Sequence, residues 1–205
     1  AGMNAAMSIL AALHHRTATG EGQHIDVALV DGIWFSSNGN LTAGALDMPI
    51  PRLANQFAIA APVNVYECSD GQIYGGVLLD AHWVSLCELI GCNEVSHCLA
   101  PERIQRRDEL NKIVEDWCAT RTTDEAVDSM VAIGLTVARV NSFSDAAQHS
   151  NAKERDMLQM TELSDGSTIP LTGPAAKFSR TPTRVNNPAP TLGQNNSDVF
   201  AALGL

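Results

Sequence analysis

The chain has 205 residues, of which 45% are hydrophobic, and a formal net charge of −10. A chain of this length can bury a sizeable core, and its acidic charge argues against nucleic-acid binding because it repels phosphates. The longest apolar runs, such as residues 5–13, are shorter than the roughly 20 residues that span a bilayer, so we expect a soluble protein.

The chain begins with an apolar, alanine-rich segment that predicts a buried helix over residues 3–16. His14 and His15 lie at its end, where cations suit a helix C-terminus, so we interpret them as cap residues and not as catalytic ones. Neither an initiator Met nor a capping residue precedes the helix. We therefore expect a truncated or processed chain.

Alternation of Ile25, Val27 and Leu29 predicts a strand over residues 24–29. The apolar segment that follows, with Trp34 and Phe35, predicts a helix in its first part. Residues 47–62 contain three prolines and little periodicity, which is typical of a linker. The sequence thus predicts a first segment, 1–46, of helix, strand and helix, and a linker over 47–62.

Residues 63–165 alternate strand and helix patterns and predict a small α+β domain. Asp80 and Pro101 mark two helix starts, and Thr122 with Glu125 resembles a capping box. The expected elements are a hairpin over 64–77 with its turn at 69–72, helices from 81, 101 and 123, a strand over 135–140, a short helix over 145–149 and a strand over 157–163 with a turn at Asp165-Gly166.

The last segment, 166–205, predicts a surface connector and a short C-terminal helix. Five prolines fall between residues 170 and 190, with few periodic apolar positions. Residues 197–203 then return to a helical pattern. We expect this segment to pack back on the first one.

The five cysteines, at positions 68, 87, 92, 98 and 118, lack the paired spacing of a disulfide framework, which favours buried thiols in a reduced cytoplasm. Cys92, His97 and Cys98 have the wrong spacing for a zinc motif, so no metal site is predicted. Three arginines alternate with acidic residues, as on a solvated helix face. These are Arg103, Arg106 and Arg107 with Glu102, Asp108 and Glu109.

General catalytic signatures are absent from the sequence. There is no G-x-S-x-G, Walker loop, H-E-x-x-H or dinucleotide fingerprint. Isolated histidines such as His82 and His149 are typical of surface or capping positions. No catalytic residue follows from the residues alone.

One ordered set of patterns is specific. Residues 19–29 read TGEGQHIDVAL after an alanine-rich helix, with Asp31 close behind. This sequence resembles family III CoA-transferases, which include formyl-CoA transferase, alpha-methylacyl-CoA racemase and carnitine CoA-transferase. Later patterns extend the resemblance over nearly all of the chain. They are Asp70-Gly71, His82-Trp83 with Leu86 and Gly91, His149 with Arg155, and Leu192-Gly193 through Gly204.

The resemblance implies an α/β fold in which part of a Rossmann-like large domain accompanies a smaller α+β domain. Residues 1–46 would belong to the large domain, and 166–205 would return to it. The implied reaction is CoA transfer between an acyl-CoA and a small carboxylic acid through an aspartyl mixed anhydride. Coenzyme A thioester would be a substrate and not a bound cofactor. The complete protein would be an interlocked homodimer.

The family's catalytic aspartate would lie upstream of Ala1, so the resemblance assigns no catalytic residue to this chain and predicts it to be inactive alone. We interpret Asp26 and Asp31 as structural, and the CoA-binding residues are not identified. Asn195 stands where the family usually has His. Residues 56–61 replace the glycine-rich loop of formyl-CoA transferase, which argues against formyl transfer.

Two alternatives stay open at this point. One is an acyl-CoA racemase, in which an aspartate and a histidine move a proton at the α-carbon. The other is a non-catalytic structural or interaction module that keeps the fold without the chemistry.

Overall fold

A central antiparallel sheet, of order β1-β2-β3, organises the middle of the chain in the computed structural model. The structure describes residues 1–163, 165–185 and 187–205, so Ser164 and Asn186, within the predicted segments 63–165 and 166–205, lie outside the described residues. The strands are β1 Val63–Cys68, β2 Gly71–Gly76, β3 Thr136–Arg139, β4 Leu158–Glu162 and β5 Thr168–Thr172. The helices are α1 Gly2–Thr19, α2 Leu29–Phe35, α3 Asn40–Ala45, α4 Asp80–Ile90, α5 Ala100–Gln105, α6 Arg107–Cys118, α7 Thr123–Ala132, α8 Phe143–Gln148, α9 Ser150–Glu154 and α10 Asn196–Ala202, with a 3-10 turn at Asn93–Val95.

The predicted hairpin and the strand after α7 are confirmed. β1 pairs with β2 so that Tyr66 is opposite Ile73, and β2 pairs with β3 so that Gly75 is opposite Val137. Tyr66 and Ile73 face the core, because side chains alternate along a strand.

The core lies between this sheet and helices α4, α6 and α7. α6 packs on β1, and α7 packs on β2 and β3. Two buried polar atoms find partners inside it: the Trp83 Nε1–H donates to the Val95 carbonyl at 2.9 Å, and the Tyr66 hydroxyl donates to Asn111 Oδ1 at 2.7 Å. The largest apolar side chains of the core are Trp83, Tyr66, Ile73, Leu86, Leu110 and Met130.

Helix boundaries follow the predictions with two corrections. Asp80 lies in the first turn of α4 but makes no capping bond there, because its carboxylate accepts hydrogen bonds from Ala100 and Arg103. The helix predicted from Pro101 is interrupted at Arg106, whose backbone (φ −96°, ψ 19°) is not helical. The capping box of Thr122 and Glu125 is confirmed at the start of α7.

The first segment differs from its predictions. α1 has no buried residue, and Met3 and Leu10 are 83% and 68% exposed. Residues 24–28 form no strand, and Leu29 already begins α2. Burial and strand pairing both need a neighbouring element, and no element of the described segments packs extensively on α1 or pairs with residues 24–28. The predictions of a buried helix and of a strand are therefore wrong for this structure.

β4 and β5 form a separate two-stranded antiparallel sheet. β4 confirms the strand predicted over 157–163, whereas β5 lies in the predicted connector, where Pro170 is tolerated because each strand has a free edge. The Gln159 side chain accepts a bond from the Val185 amide at 2.8 Å, and α10 confirms the C-terminal helix. None of the helices in the described residues is long and apolar enough to cross a membrane. The division into 1–46, 47–62, 63–165 and 166–205 stays a prediction.

Candidate functional site

A loop of residues 56–61, which we call the 56–61 loop, leads into β1 and is held by arginines of α5 and α6. Arg103 is fully buried, and its Nε donates to the Ala61 carbonyl at 2.8 Å. Its Nη1 bonds to the Asp80 carboxylate at 2.5 Å and to the Cys98 carbonyl at 2.9 Å. The prediction of a solvated Arg103 is wrong, because the fold provides a carboxylate and two carbonyls that make its burial possible.

Arg107 holds the other end of the loop. Its Nη1 and Nη2 donate to the carbonyls of Phe57 and Ala58, each at 3.3 Å. Gln56 adds a 3.4 Å bond to the carboxylate of Asp108. The loop is thus fixed through its backbone, which leaves the Phe57 side chain free to line a surface.

Gly76 brings the end of β2 against Pro62, which connects the 56–61 loop to β1. The Val77 amide donates to the Pro62 carbonyl at 2.8 Å, and a Cβ added at Gly76 would lie 2.2 Å from that oxygen. Its φ of 155° also disfavours any other residue. Glycine is therefore required for this close approach.

An apolar cavity of about 200 Å³ lies beside this contact. The 56–61 loop, the three strands of the central sheet and the segment after β2 each contribute one side chain to its wall. These side chains are Phe57, Val63, Tyr74, Thr136 and Leu78. The volume is below the roughly 300–1,000 Å³ of most ligand sites, so the cavity fits a short apolar group and not a whole cofactor.

A more polar cleft of about 480 Å³ opens between the end of β3 and helices α8 and α9. His149 Nδ1 accepts a bond from the Asn151 amide at 3.2 Å and so caps α9, which confirms its predicted surface role. Arg155 donates to the Ala175 carbonyl at 3.4 Å. Asn141 lines the same cleft. These groups can bind carboxylate or amide oxygens, but they contain no paired acid and base.

Comparison with known proteins decides the family. The model of CoA-transferase family III matches residues 1–196. The chain belongs to CoA-transferase family III. This confirms the family predicted from residues 19–29.

Several enzymes of this family are similar to the chain. It is 26% identical to the succinyl-CoA:mesaconate CoA-transferase of Haloarcula hispanica over 98% of the chain and 51% of the relative. It is 26% identical to the succinate–glutarate CoA-transferase of Agrobacterium fabrum, covering 98% of the chain and 52% of the relative. The chain spans about half the length of the curated relatives it matches.

Solved structures support the fold. A CAIB/BAIF family protein from Brucella suis superimposes with a TM-score of 0.76 at 24% identity, over 98% of this chain and 53% of that one. Rv3272 from M. tuberculosis gives a TM-score of 0.78 at 24% identity, over 96% and 51% of the two chains. The mixed α/β architecture is thus shared with these two proteins.

The histidines and aspartates near the start of this family III chain do not form a catalytic arrangement. His24 and Asp26 are exposed in the unpaired segment before α2, and Asp31 lies in its first turn. In the described residues, none of these side chains makes a hydrogen bond or ion pair, nor do those of His14 and His15. The prediction that His14 and His15 cap α1 is wrong, because the helix continues to Thr19 and Arg16 is the basic residue of its last turn. Asp31 flanks the start of α2 as predicted, and the structural interpretation of Asp26 stays a prediction.

The cysteines do not supply a nucleophile. Four are buried and Cys68 is half-buried, all as free thiols, in agreement with the prediction of buried thiols. Burial raises the pKa of Cys118 to about 12, and burial also raises the pKa of Cys87 and Cys68. These thiols are protonated at neutral pH, and the thiol form is a poor nucleophile.

Arg103 is the residue of this region that sequence reasoning missed. The charges around it alternate as they do around Arg106, which pairs with Glu102 and Glu109 at the surface as predicted. No local signal separates the two arginines. The two arginines differ because Asp80, 23 residues from Arg103 in the sequence, pairs with Arg103.

Proposed function

We propose that this chain is the part of a family III CoA-transferase that forms the wall of the acyl site, and that the complete protein transfers CoA between an acyl-CoA and a small carboxylic acid. The observation that carries the proposal is the family match over residues 1–196. The names of the similar enzymes describe CoA transfer, which supports the reaction class.

In the proposed reaction an aspartate carboxylate attacks the thioester carbon of the acyl-CoA. The C–S bond breaks, CoA leaves as a thiolate and an acyl-aspartyl mixed anhydride forms. The CoA thiolate then attacks the aspartyl carbonyl of the anhydride, which forms an aspartyl-CoA thioester and releases the donor acid as its carboxylate. The acceptor carboxylate attacks this thioester, CoA leaves again as a thiolate and a second mixed anhydride forms. Attack of the thiolate on the acceptor carbonyl of that anhydride gives the new acyl-CoA and restores the aspartate. We propose that this aspartate is not among the 205 residues. Asp26 and Asp31 are exposed and have no side-chain partner among the residues that the structure describes, which supports that assignment.

The 56–61 loop would shield the anhydride from water. In formyl-CoA transferase, which the chain resembles, a glycine-rich loop has this role. Here the loop is apolar, and Phe57 lines the cavity of about 200 Å³. An apolar wall excludes water, which would otherwise hydrolyse a reactive intermediate. A short acyl chain would fit against Phe57, Tyr74 and Leu78.

Short dicarboxylates are the proposed substrates. Succinyl-CoA or succinate appears in the names of relatives from Haloarcula hispanica, Agrobacterium fabrum and Chloroflexus aurantiacus. We also propose a reduced cytoplasm as the compartment, supported by the five free thiols. No metal or permanently bound cofactor takes part in the proposed reaction.

The test compares the chain with a protein extended upstream to include the family's aspartate, and with an Asp→Ala variant of that protein. Each is incubated with succinyl-CoA and either mesaconate or glutarate, and the new thioester is measured. We expect transfer by the extended protein only. Hydroxylamine should trap its acyl-aspartyl anhydride as a hydroxamate.

Turnover by the short chain at the rate of the extended one would refute the missing aspartate. Exchange of an α-proton with deuterated water, without transfer, would favour the racemase. Absence of both activities in the extended protein would favour a non-catalytic module.

A further inference from the structure

Three metal-ligating side chains converge at the start of α5. The ligand atoms of His97, Cys98 and Glu102 all lie within 4.8 Å of one another. Cys98 Sγ is 3.2 Å from Glu102 Oε1. The sequence predicted no metal here because Cys92 could not complete a motif, but the helical turn of α5 brings Glu102 into the position of a third ligand.

The separations suit a tetrahedral zinc ion after a small adjustment. Ligand distances of about 2.0–2.3 Å place neighbouring ligand atoms roughly 3.4–3.7 Å apart. The Cys98–Glu102 pair is already close to this value. His97 is exposed and Glu102 only partly buried, so both side chains can move inward by about 1 Å.

Cys98 is the fixed member of the set. It is only 1% exposed, and its carbonyl accepts a bond from Arg103 Nη1 at 2.9 Å. Arg103 is in turn paired with Asp80. The thiol therefore has a defined position before any ion arrives, which lowers the cost of ordering a site.

A cationic group already lies between two of the three ligands. Arg106 Nη1 is 3.1 Å from Cys98 Sγ and 3.1 Å from Glu102 Oε1. Arg106 has a second partner, since its Nε and Nη2 donate to the Glu109 carboxylate at 2.9 and 2.7 Å. Release of Nη1 would leave this bidentate pair intact.

We propose that His97, Cys98 and Glu102 bind one Zn²⁺, with water as the fourth ligand, in exchange for the Nη1 group of Arg106. A set of one sulfur, one nitrogen and one oxygen atom favours zinc over magnesium or calcium. The Cys98 thiol gives up its proton to solvent as it binds.

The test titrates the reduced chain with Zn²⁺ in competition with a chromophoric chelator. Co²⁺ serves as a spectroscopic probe, because a thiolate ligand gives a charge-transfer band. We expect one equivalent of Zn²⁺, and a weakening of at least about tenfold in H97N, C98S and E102Q. R106Q should strengthen binding by about tenfold, because a positive charge next to the ion is removed.

Matched controls are H82N, C118S and E88Q, which change the same residue types elsewhere and should bind Zn²⁺ as the parent does. Circular dichroism identifies variants that fail to fold. If C98S is one of them, H97N and E102Q still test the site. Lack of stoichiometric binding, equal loss in controls and variants, or weaker binding in R106Q would overturn the site. The readout is metal binding, so each of these results leaves the proposed CoA transfer untouched.

Discussion

Arg103 and Asp80 show what burial does to an ion pair. The Arg103 side chain is 1% exposed, whereas that of Asp80 is 50% exposed. The pair Lys112–Asp116 has a similar distance, 2.6 Å, but both of its side chains are 65% exposed. Loss of the Asp80 carboxylate therefore leaves the buried charge of Arg103 without its ion-pair partner. Loss of the Asp116 carboxylate leaves the charge of Lys112 in contact with water.

We expect D80N to lower the free energy of unfolding by about 2 kcal/mol, below the 3–5 kcal/mol of a fully buried pair because water screens Asp80. D116N should cost less than about 1 kcal/mol. Urea unfolding followed by tryptophan fluorescence compares the two. Equal effects would contradict the importance we give to the burial of Arg103.

Gly76 is the second position where a single residue decides local structure. We expect G76A to destabilise the chain by about 2–4 kcal/mol, because its Cβ would meet the Pro62 carbonyl and its φ disfavours alanine. The control G44A adds a Cβ with nothing within 4 Å, inside α3. It should be neutral or stabilising by up to about 1 kcal/mol. Thermal unfolding of both variants is the measurement, and similar melting temperatures would be the contrary result.

At the scale of elements, two capping boxes offer a comparison. Thr122 and Glu125 begin α7, which buries Ala126 and Met130 in the core. Ser142 and Asp145 begin α8, which has no buried residue. We expect T122A to lower the free energy of unfolding by about 1 kcal/mol and S142A to have a smaller effect on global stability. Chemical denaturation tests this, and a larger effect of S142A would contradict it.

The same box gives a pH dependence. The backbone amide of Thr122, and then its hydroxyl, lower the pKa of Glu125 in the folded chain. A lowered pKa contributes stability above the unfolded value of about 4.3, and this is lost as the pH falls through the folded value. E125Q, which removes the titrating carboxyl, should therefore show a shallower loss of stability below pH 4.3 than the parent. An unchanged acid limb in unfolding curves from pH 7 to 3 would contradict this.

For the whole molecule, the 56–61 loop is expected to control a side reaction. In the upstream-extended protein, F57A should raise the hydrolysis of succinyl-CoA several-fold without acceptor, because water gains access to the anhydride. F143A changes a phenylalanine that is 97% exposed and should have no effect. Free CoA release measures the reaction. Equal rates of hydrolysis in F57A and F143A would contradict the proposal that Phe57 shields the anhydride.

Exposed apolar side chains of α1, of α2 and of the residue after α10 concern the assembly of the complete protein. Leu10, Phe35 and Leu203 are 68%, 81% and 67% exposed. Large apolar patches are typical of interaction surfaces. We expect the extended protein to bury them in a homodimer, as the family resemblance implies. Sedimentation as a stable dimer would support this, and a stable monomer would contradict it.

The family, the hairpin, the capping box of α7 and most helix bounds are predictable from the amino-acid sequence, because turn residues, caps and residues 19–29 carry local or family-specific signals. Tertiary structure decided what depends on distant partners. Arg103 is buried because Asp80 and two carbonyls meet it, and α1 is exposed because no described element packs extensively on it. Such contacts are fixed by packing across the chain, which a local pattern does not record.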